Sequence, residues 1–363
     1  MFTRILKYQL PFLLIIAGFF TLAMNNGCEK KYDFSTLPKD ERISLNETTY
    51  VEITPAISGF TKISSVIVGG DQLIYVADYE ANTIYQLDIS GKLLGAFSIS
   101  HPSALAQDSR LDLLVCAETA SVAAIYRLPL SKFGLRLSNV PQTAAKRIWI
   151  ESRNPQRRFS GIAILAENQY IVSRVGTNNT NPIDPDSRIL WFKKNDTLET
   201  YVTDLQTGTG SGITYLYKPT GILSFARRKD FIVTQTSEGV NYGALWMIHY
   251  SSSDFTGWLP YFNPANPSQR TDFVRPDQFT NATGGAVDQS SSEVFILNAG
   301  ANSNSYAVFK FDRRGRFKKE SIRPNMVSPP LLNPSSAAFA DKVLYVAQET
   351  RIFRFKLSTD FLR

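Results

Sequence analysis

The sequence contains few of the residues from which most catalytic and metal sites are built. Only two cysteines and two histidines occur among its 363 residues. A cysteine-based zinc site and a three-histidine metal site therefore cannot be assembled within this chain. The Gly-x-Ser-x-Gly turn that carries a hydrolase nucleophile is absent as well, and no helical periodicity follows the N-terminal segment. The information in this sequence therefore lies in its strands and in the geometry that a repeat imposes.

The feature that is present is a repeat, in which an apolar run ends in a polar residue and a second apolar run follows. Its clearest copy runs from Leu73 to Asp78 and continues after a turn with Ile84 to Asp88. The copies recur at intervals of roughly 40 to 60 residues, which is the size of one propeller blade. The polar residues that end the six runs are Asp78, Glu118, Arg174, Gln235, Asn298 and Gln348. The sequence therefore predicts an all-β, six-bladed β-propeller.

Each unit also opens with a short strand of small residues, such as Ser160-Gly161-Ile162-Ala163. Small residues suit the innermost strands, which crowd around the propeller axis. The last unit has strands at 337–340, 343–346 and 352–357, and too few residues remain for a fourth. We therefore expect Tyr50 to Ile53 to complete the last blade and close the ring, because closure removes exposed sheet edges. Blade one is then predicted at 63–68, 73–77, 84–87 and 93–97.

Two resemblances to known families follow from these residues. The run Ile74 to Tyr79, followed by Asn82, Ile84, Asp88 and Gly91-Lys92, resembles an NHL-type repeat of a six-bladed propeller. The run Asn25 to Lys31 resembles the processing site of a bacterial lipoprotein, with Gly27 before a Cys28 that would receive the lipid. The first resemblance implies the propeller fold, and the second implies a lipid anchor.

The N-terminal segment is interpreted as a targeting signal. Arg4 and Lys7 precede an apolar stretch from Leu10 to Met24 that is short for a membrane span. The predicted organisation is a signal peptide at 1–27, a flexible tether at 28–47 after lipidated Cys28, and the propeller at 48–363. Cys116, the other cysteine, lies in an apolar strand and is expected to be a core residue, so no disulfide is predicted.

Charge gives little information about a partner. The formal net charge is +7, and the basic clusters at 153–158, 227–229 and 313–319 fall at predicted turns. Two interpretations of these clusters remain: they are solvated turns, or they contact anionic headgroups or acidic glycans. We expect an exported monomer in the bacterial periplasm or at the outer membrane, with a protein or glycan partner at the cell envelope, membrane contact through the anchor, and no nucleic acid.

The repeat places its six polar residues at one end of the second strands, and hence on one face of the disc. The longest loops are expected on the same face, at 176–187, 238–243 and 300–305. Loops on a rigid scaffold commonly carry binding function, so Asp78, Glu118, Arg174, Gln235, Asn298 and Gln348 are the candidate ligand-binding residues. The same side chains could instead hydrogen-bond turns. The main expectation is a non-catalytic binding or scaffolding propeller.

A metal-dependent enzyme is the alternative. Glu118, Asn298 and Asp184 could supply the oxygen ligands that Ca²⁺ prefers, as in the gluconolactonase-like propellers, which would make the protein a hydrolase, lactonase or lyase. No cofactor other than this possible calcium is expected. His101 and His249 fall in different repeat registers and are expected to be structural. An aromatic cluster at Phe255, Trp258, Tyr261 and Phe262 leaves two interpretations open. It stacks on sugars or packs against a partner, or, more simply, it belongs to the fourth strand of blade four.

Overall fold

The structure of the protein is a computed structural model that describes residues 48–179, 181, 184–202, 216–225, 227–236, 242–253, 256–262, 272–274, 278–302 and 305–361. The predicted signal peptide, Cys28 and the tether lie outside the described residues. The regular secondary structure of the described residues consists of strands and short 3-10 helices. None of their helices is long and apolar enough to span a membrane.

The strands, in chain order, are β1 Tyr50–Glu52, β2 Ile57–Ser58, β3 Ile63–Val68, β4 Ile74–Asp78, β5 Thr83–Leu87, β6 Leu93–Ser98, β7 Ala104–Gln107, β8 Leu113–Thr119, β9 Val122–Leu128, β10 Lys146–Ile150, β11 Arg158–Ile164, β12 Tyr170–Val175, β13 Arg188–Phe192, β14 Leu198–Tyr201, β15 Pro219–Ser224, β16 Phe231–Gln235, β17 Ala244–Ser251, β18 Thr256–Pro260, β19 Ala282–Val287, β20 Val294–Asn298, β21 Val308–Phe311, β22 Phe317–Ile322, β23 Ser336–Ala340, β24 Val343–Gln348 and β25 Arg351–Leu357.

These strands form six antiparallel sheets, each of which is one blade. Blade 1 consists of β3 to β6, blade 2 of β7 to β10, blade 3 of β11 to β14, blade 4 of β15 to β18, and blade 5 of β19 to β22. Blade 6 consists of β23 to β25 together with β1 and β2. The predicted six-bladed propeller is confirmed, and the predicted strands of blade 1 agree with the structure to within one residue at each end.

The ring closes as the sequence predicts. Strand β1 pairs antiparallel with β25, so that Tyr50 lies opposite Leu357 and Glu52 lies opposite Phe355. Tyr50 is 3% exposed and packs edge-to-face against Phe295 of blade 5. The earliest strand therefore covers the outer edge of the last blade and also fills the interface between blades 5 and 6.

The first strand of every blade lies nearest the axis. These inner strands, β3, β7, β11, β15, β19 and β23, contact one another in sequence, and β23 contacts β3 again. The crowding explains their small residues. A Cβ atom on Gly161 would lie 2.7 Å from the backbone nitrogen of Ile222, and one on Gly285 would lie 1.9 Å from the carbonyl oxygen of Phe295. A larger side chain at Gly161 would press against blade 4, and one at Gly285 would clash with strand β20 of its own blade.

A ring of hydroxyl groups joins neighbouring blades at the start of the inner strands. We call it the collar, and its members are Ser64, Ser103, Ser160, Thr220, Thr283 and Ser335. Five of the hydroxyls donate to the backbone carbonyl that precedes the collar residue of the next blade. The bonds are Ser64 to Pro102 at 2.6 Å, Ser103 to Phe159 at 2.8 Å, Thr220 to Ala282 at 2.6 Å, Thr283 to Pro334 at 2.6 Å and Ser335 to Ile63 at 2.9 Å.

Ser160 is the exception, because its hydroxyl lies 2.9 Å from the hydroxyl of Ser173 within blade 3. The collar geometry has a local cause in the strands. In blades 1, 3, 4 and 5 the register of the inner strand shifts at the collar residue, which marks a β-bulge there. A bulge releases one residue from the ladder and redirects its side chain. In most blades that redirection turns the hydroxyl toward the neighbouring blade.

We predict that Ser335→Ala loosens the interface between blades 6 and 1, where the ring closes. Ser160→Ala should leave this interface unchanged. Both variants lose a hydroxyl, but only Ser335 bonds across a blade interface. The loss of one hydrogen bond should lower the free energy of unfolding by about 1 kcal/mol. Hydrogen exchange of the Ile63 amide, which bonds to the carbonyl of Glu349 across the interface between blades 6 and 1, should become faster in the Ser335 variant only. Equal exchange rates in the two variants would show that the collar does not support closure.

Candidate functional site

A channel runs along the axis between the inner strands. Its volume is about 610 Å³, and the collar residues line the end at which the inner strands begin, which we call the mouth. The other end is lined by residues of the turns that follow the inner strands, including Gly69, Asp108 and Gln289. Asp108 is the only charged residue among the described residues that line the channel. The channel wall is therefore mostly hydroxyl, amide and hydrocarbon.

The residues two positions before each collar residue lie close to this mouth along the chain, outside the channel lining itself. Two residues span at most about 7 Å of chain, so these side chains begin close to the channel. We call them the mouth positions, and they are Lys62, His101, Arg158, Lys218, Asn281 and Asn333. Three are cationic, one is histidine, two are amides and none is a carboxylate.

The mouth positions of blades 1 to 3 belong to one cluster of interacting side chains. The ring of His101 packs against the ring of Tyr79, with centroids 4.8 Å apart. Glu118 links the members of this cluster. Its Oε1 accepts a hydrogen bond from the Tyr79 hydroxyl at 3.2 Å and forms an ion pair with Arg158 Nε at 3.0 Å. Its Oε2 lies 3.8 Å from His101 Nδ1. The cluster therefore combines an acid, a base, a phenol and a guanidinium.

The imidazole of His101 is held at one nitrogen and open at the other. Nδ1 lies 3.0 Å from the Ser100 hydroxyl, and the Glu118 carboxylate nearby favours a proton on Nδ1. The side chain is 41% exposed, and no described residue bonds to Nε2. The backbone amide of His101 donates to Asn82 Oδ1 at 2.9 Å. Nε2 therefore has no hydrogen-bond partner among the described residues, and with the proton on Nδ1 it is a proton acceptor.

The phenol of Tyr79 stays a hydrogen-bond donor. Burial, and then the charge of Glu118, raise the pKa of Tyr79 above its ordinary value. The group is therefore protonated at neutral pH, and it keeps the Glu118 carboxylate in place beside His101.

The six predicted ligand-binding residues do lie at the same end of the second strands, and all six are buried. Four of them support the chain that enters the inner strand of their own blade. Asp78 accepts from the amide of Lys62 at 2.9 Å, Asn298 from that of Asn281 at 3.0 Å, and Gln348 from that of Asn333 at 2.7 Å. Gln235 accepts from the amide of Tyr217, next to Lys218, at 2.8 Å. These side chains therefore position the mouth residues.

The other two predicted residues have different surroundings. Glu118 belongs to the His101 cluster. Arg174 is 1% exposed and lies in a buried ion network with Arg157, Glu151, Asp184 and Asp186. Arg174 Nη1 pairs with Glu151 at 2.7 Å and Nη2 with Asp184 at 3.0 Å, while Arg157 Nε pairs with Asp186 at 2.7 Å. The network fixes the segment that leads to Arg158 and the described part of the loop between β12 and β13.

The carboxylates of this network are stabilised in their charged form. Burial alone would raise the pKa of Asp184 and Asp186, but hydrogen bonds from Arg157 outweigh it, and both pKa values lie below the ordinary value. The stability that such groups contribute is present above the unfolded pKa of about 3.9 and is lost as the pH falls through the folded pKa.

We predict that Arg174→Met lowers the free energy of unfolding at pH 7 by about 3–5 kcal/mol, because it leaves buried carboxylates without their partner. The difference from the wild-type protein should shrink below about pH 4, as the network carboxylates become protonated. Urea denaturation at pH 7 and at acidic pH measures both values. Asp184→Asn, a milder change at a partly exposed position, serves as a second variant. A difference that does not depend on pH would contradict the assignment.

The residues proposed for calcium do not converge on one site. Glu118 is paired with Arg158 and Asp184 with Arg157 and Arg174. Asn298 uses Oδ1 for the Asn281 amide and Nδ2 for the carbonyl of Tyr306. Among the described residues, no three His, Cys, Asp or Glu side chains are grouped as metal ligands. The predicted ligand set therefore does not fit Ca²⁺.

Two other residues singled out from the sequence, Cys116 and Trp258, lie in the core. Cys116 is fully buried, and burial raises the pKa of its thiol well above the ordinary value. Trp258 is also fully buried in β18, the fourth strand of blade 4, and contacts Trp191, Phe231 and His249 edge-to-face. His249 is thus a neighbour of Trp258 in blade 4, while His101 lies at the mouth. Phe255, Asn241 and Asn304 lie outside the described residues.

Sequence reasoning missed the collar and the mouth positions, although a signal for them is present. Lys62-Ile63-Ser64, His101-Pro102-Ser103, Arg158-Phe159-Ser160, Lys218-Pro219-Thr220, Asn281-Ala282-Thr283 and Asn333-Pro334-Ser335 are six copies of one short pattern. Each copy has a basic or amide residue, an apolar residue and a hydroxyl residue in that order. Alignment on the hydroxyl would have brought His101 into register with Lys62 and Arg158.

Comparison with known proteins supports the fold. The sequence matches no described protein family and no curated protein. Solved structures do resemble it, each at 11% identity. A putative gluconolactonase has a TM-score of 0.56 over 86% of this chain and 93% of its own. A luciferin-regenerating enzyme has 0.55 over 85% and 95%, and a calcium-binding regucalcin from Agrobacterium tumefaciens has 0.55 over 84% and 92%.

These comparisons correct the main functional expectation. A non-catalytic binding propeller was expected, but similar structures bear the names of enzymes, a gluconolactonase and a luciferin-regenerating enzyme. That prediction is wrong on this comparison, and an enzymatic function is taken up as a proposal. The NHL-type repeat stays a prediction, as do the lipid anchor, the envelope location and the partners. Likeness at this identity shows the fold alone.

Proposed function

We propose that the protein is an enzyme that hydrolyses an ester bond, cyclic or open, in a small polar substrate at the channel mouth. His101 is its general base. The observation that carries this proposal is the imidazole at the mouth, oriented by Ser100 and Glu118 at Nδ1 and open at Nε2. A base within reach of a cavity and oriented by a third group is the arrangement that general base catalysis requires.

The reaction uses water and the cluster at the mouth. His101 Nε2 takes a proton from water while the water oxygen attacks the ester carbonyl carbon. The negative charge that develops on the carbonyl oxygen is stabilised by the Arg158 guanidinium. When the bond from carbon to the leaving oxygen breaks, the imidazolium returns its proton to that oxygen. Glu118, 3.8 Å from Nδ1, stabilises the imidazolium between these two steps.

Calcium has no part in this proposal. The mouth positions include Lys62, Arg158 and Lys218, and three cations around the mouth oppose the binding of a divalent cation. Carbonyl polarisation, which a metal ion often supplies, is assigned to Arg158. In this respect the proposal differs from the calcium binding attributed to the regucalcin from Agrobacterium tumefaciens.

We also propose that the propeller is exported and held at the bacterial envelope by a lipid on Cys28. A single thiol after Gly27, followed by polar residues, supports this proposal. Labelling of cells with a fatty acid analogue, with and without Cys28→Ser, tests it.

We predict that His101→Gln lowers kcat for hydrolysis by about 100-fold or more, because general base catalysis commonly contributes that much. A panel of γ-butyrolactone, gluconolactone and 4-nitrophenyl acetate provides the assay. His249→Gln is the matched control, since His249 is the only other histidine of the chain and contacts Trp258 in blade 4. Thermal unfolding verifies that each variant is folded. Equal activity of the two variants would contradict the role of His101.

We predict that a chelator leaves the melting temperature unchanged within error. A protein that binds a metal in its native state loses stability when the metal is removed. Differential scanning calorimetry with and without EDTA, followed by added Ca²⁺, measures the effect. A large decrease in melting temperature that Ca²⁺ reverses would refute the metal-free mechanism and restore the calcium alternative.

A further inference from the structure

The charges at the mouth carry information about the substrate itself. Each of the six mouth positions lies two residues before a collar residue that lines the channel opening. They comprise three cations, one histidine and two amides, and no carboxylate. We infer that the substrate carries a negative charge, most simply a carboxylate, which is held by Lys62, Arg158 and Lys218. This inference rests on the proposed function and names its substrate class.

The cationic side chains at the mouth positions can bind a ligand as well as their present partners. Lys62 pairs with Glu80 at 3.1 Å, but the two side chains are 59% and 52% exposed, and an exposed pair of this kind is weak. A ligand carboxylate can therefore replace Glu80. Arg158 bonds Glu118 through Nε and the carbonyl of Arg157 through Nη1. No described residue bonds to its Nη2, so one edge of the guanidinium faces outward.

The backbone holds these residues in position before a ligand arrives. The amide of Lys62 donates to buried Asp78 at 2.9 Å, and the amide of Lys218 donates to Ser187 Oγ at 3.3 Å. Arg158 follows Arg157, which is 4% exposed and fixed in the buried ion network. Little ordering of the chain is needed on binding, which favours affinity.

The collar prevents the anion from going deeper into the channel. Five of its hydroxyls donate their protons to backbone carbonyls. A carbonyl oxygen can only accept, so the direction of these bonds is fixed by chemistry. The collar oxygens therefore offer lone pairs to the channel, and lone pairs repel a carboxylate. The anion stays at the mouth, where His101 can reach an ester group of the same molecule.

The experiment compares two esters that differ in charge. The substrates are 4-nitrophenyl acetate and mono-4-nitrophenyl succinate, and the variant is Lys62→Gln/Lys218→Gln. We expect the wild-type protein to have the higher kcat/KM for the succinate ester. The double variant should lose about tenfold of that preference through KM, and added salt should reduce the preference in the wild-type protein. Lys92→Gln/Lys132→Gln, on turns at the other end of the blades, is the control with equal charge loss.

A binding measurement separates this inference from the proposed function. Calorimetric titration of His101→Gln with succinate requires no turnover, and we expect binding that the further changes Lys62→Gln and Lys218→Gln weaken about tenfold. Hydrolysis that depends on His101 but shows no charge preference would overturn the inference and leave the proposed function intact. Succinate binding that depends on the two lysines, without hydrolysis of either ester, would refute the proposed function and support the anion site.

Discussion

The collar of hydroxyl groups is the interaction on which the rest of the structure depends. A propeller blade buries one face against each neighbour, and apolar packing alone does not fix how far one sheet slides over the next. A hydroxyl that donates to a carbonyl at 2.6 to 2.9 Å does fix it, because hydrogen bonds are directional. Bulges lie at the collar residues of blades 1, 3, 4 and 5, near the start of their inner strands. The mouth is therefore a defined ring.

The position of the His101 cluster, which is the proposed catalytic cluster, follows from this ring. His101 and Arg158 each lie two residues before a collar residue, so the bonds that align blades 1, 2 and 3 also set the spacing between the two side chains. Glu118 then bridges them from the second strand of blade 2. The site thus spans three blades and needs no long loop to assemble it, which fits a scaffold on which rigid elements place the reacting groups.

The sequence predicts the fold well and the site only in part. Alternation and repeat length predict six blades, and the strand composition of Tyr50 to Ile53 predicts closure, because both depend on local pattern. The six polar residues at the strand ends are correctly placed on one face. The direction in which these side chains point is not predictable from the sequence. With the same spacing in the sequence, the side chain of Asp78 or Gln348 can point to a ligand or to a neighbouring backbone amide. Contacts between Arg174 and Glu151 are likewise set by packing between blades 2 and 3.

The fold itself does not determine whether the site depends on a metal. Any six-bladed ring brings six residues to its opening, and their charge decides what binds there. Carboxylates and amides at those positions would attract a divalent cation. Here lysine, arginine and histidine occupy four of the six positions, and the nearby carboxylates Glu80 and Glu118 are paired with Lys62 and Arg158. The same architecture is thereby suited to an anionic substrate and a histidine base.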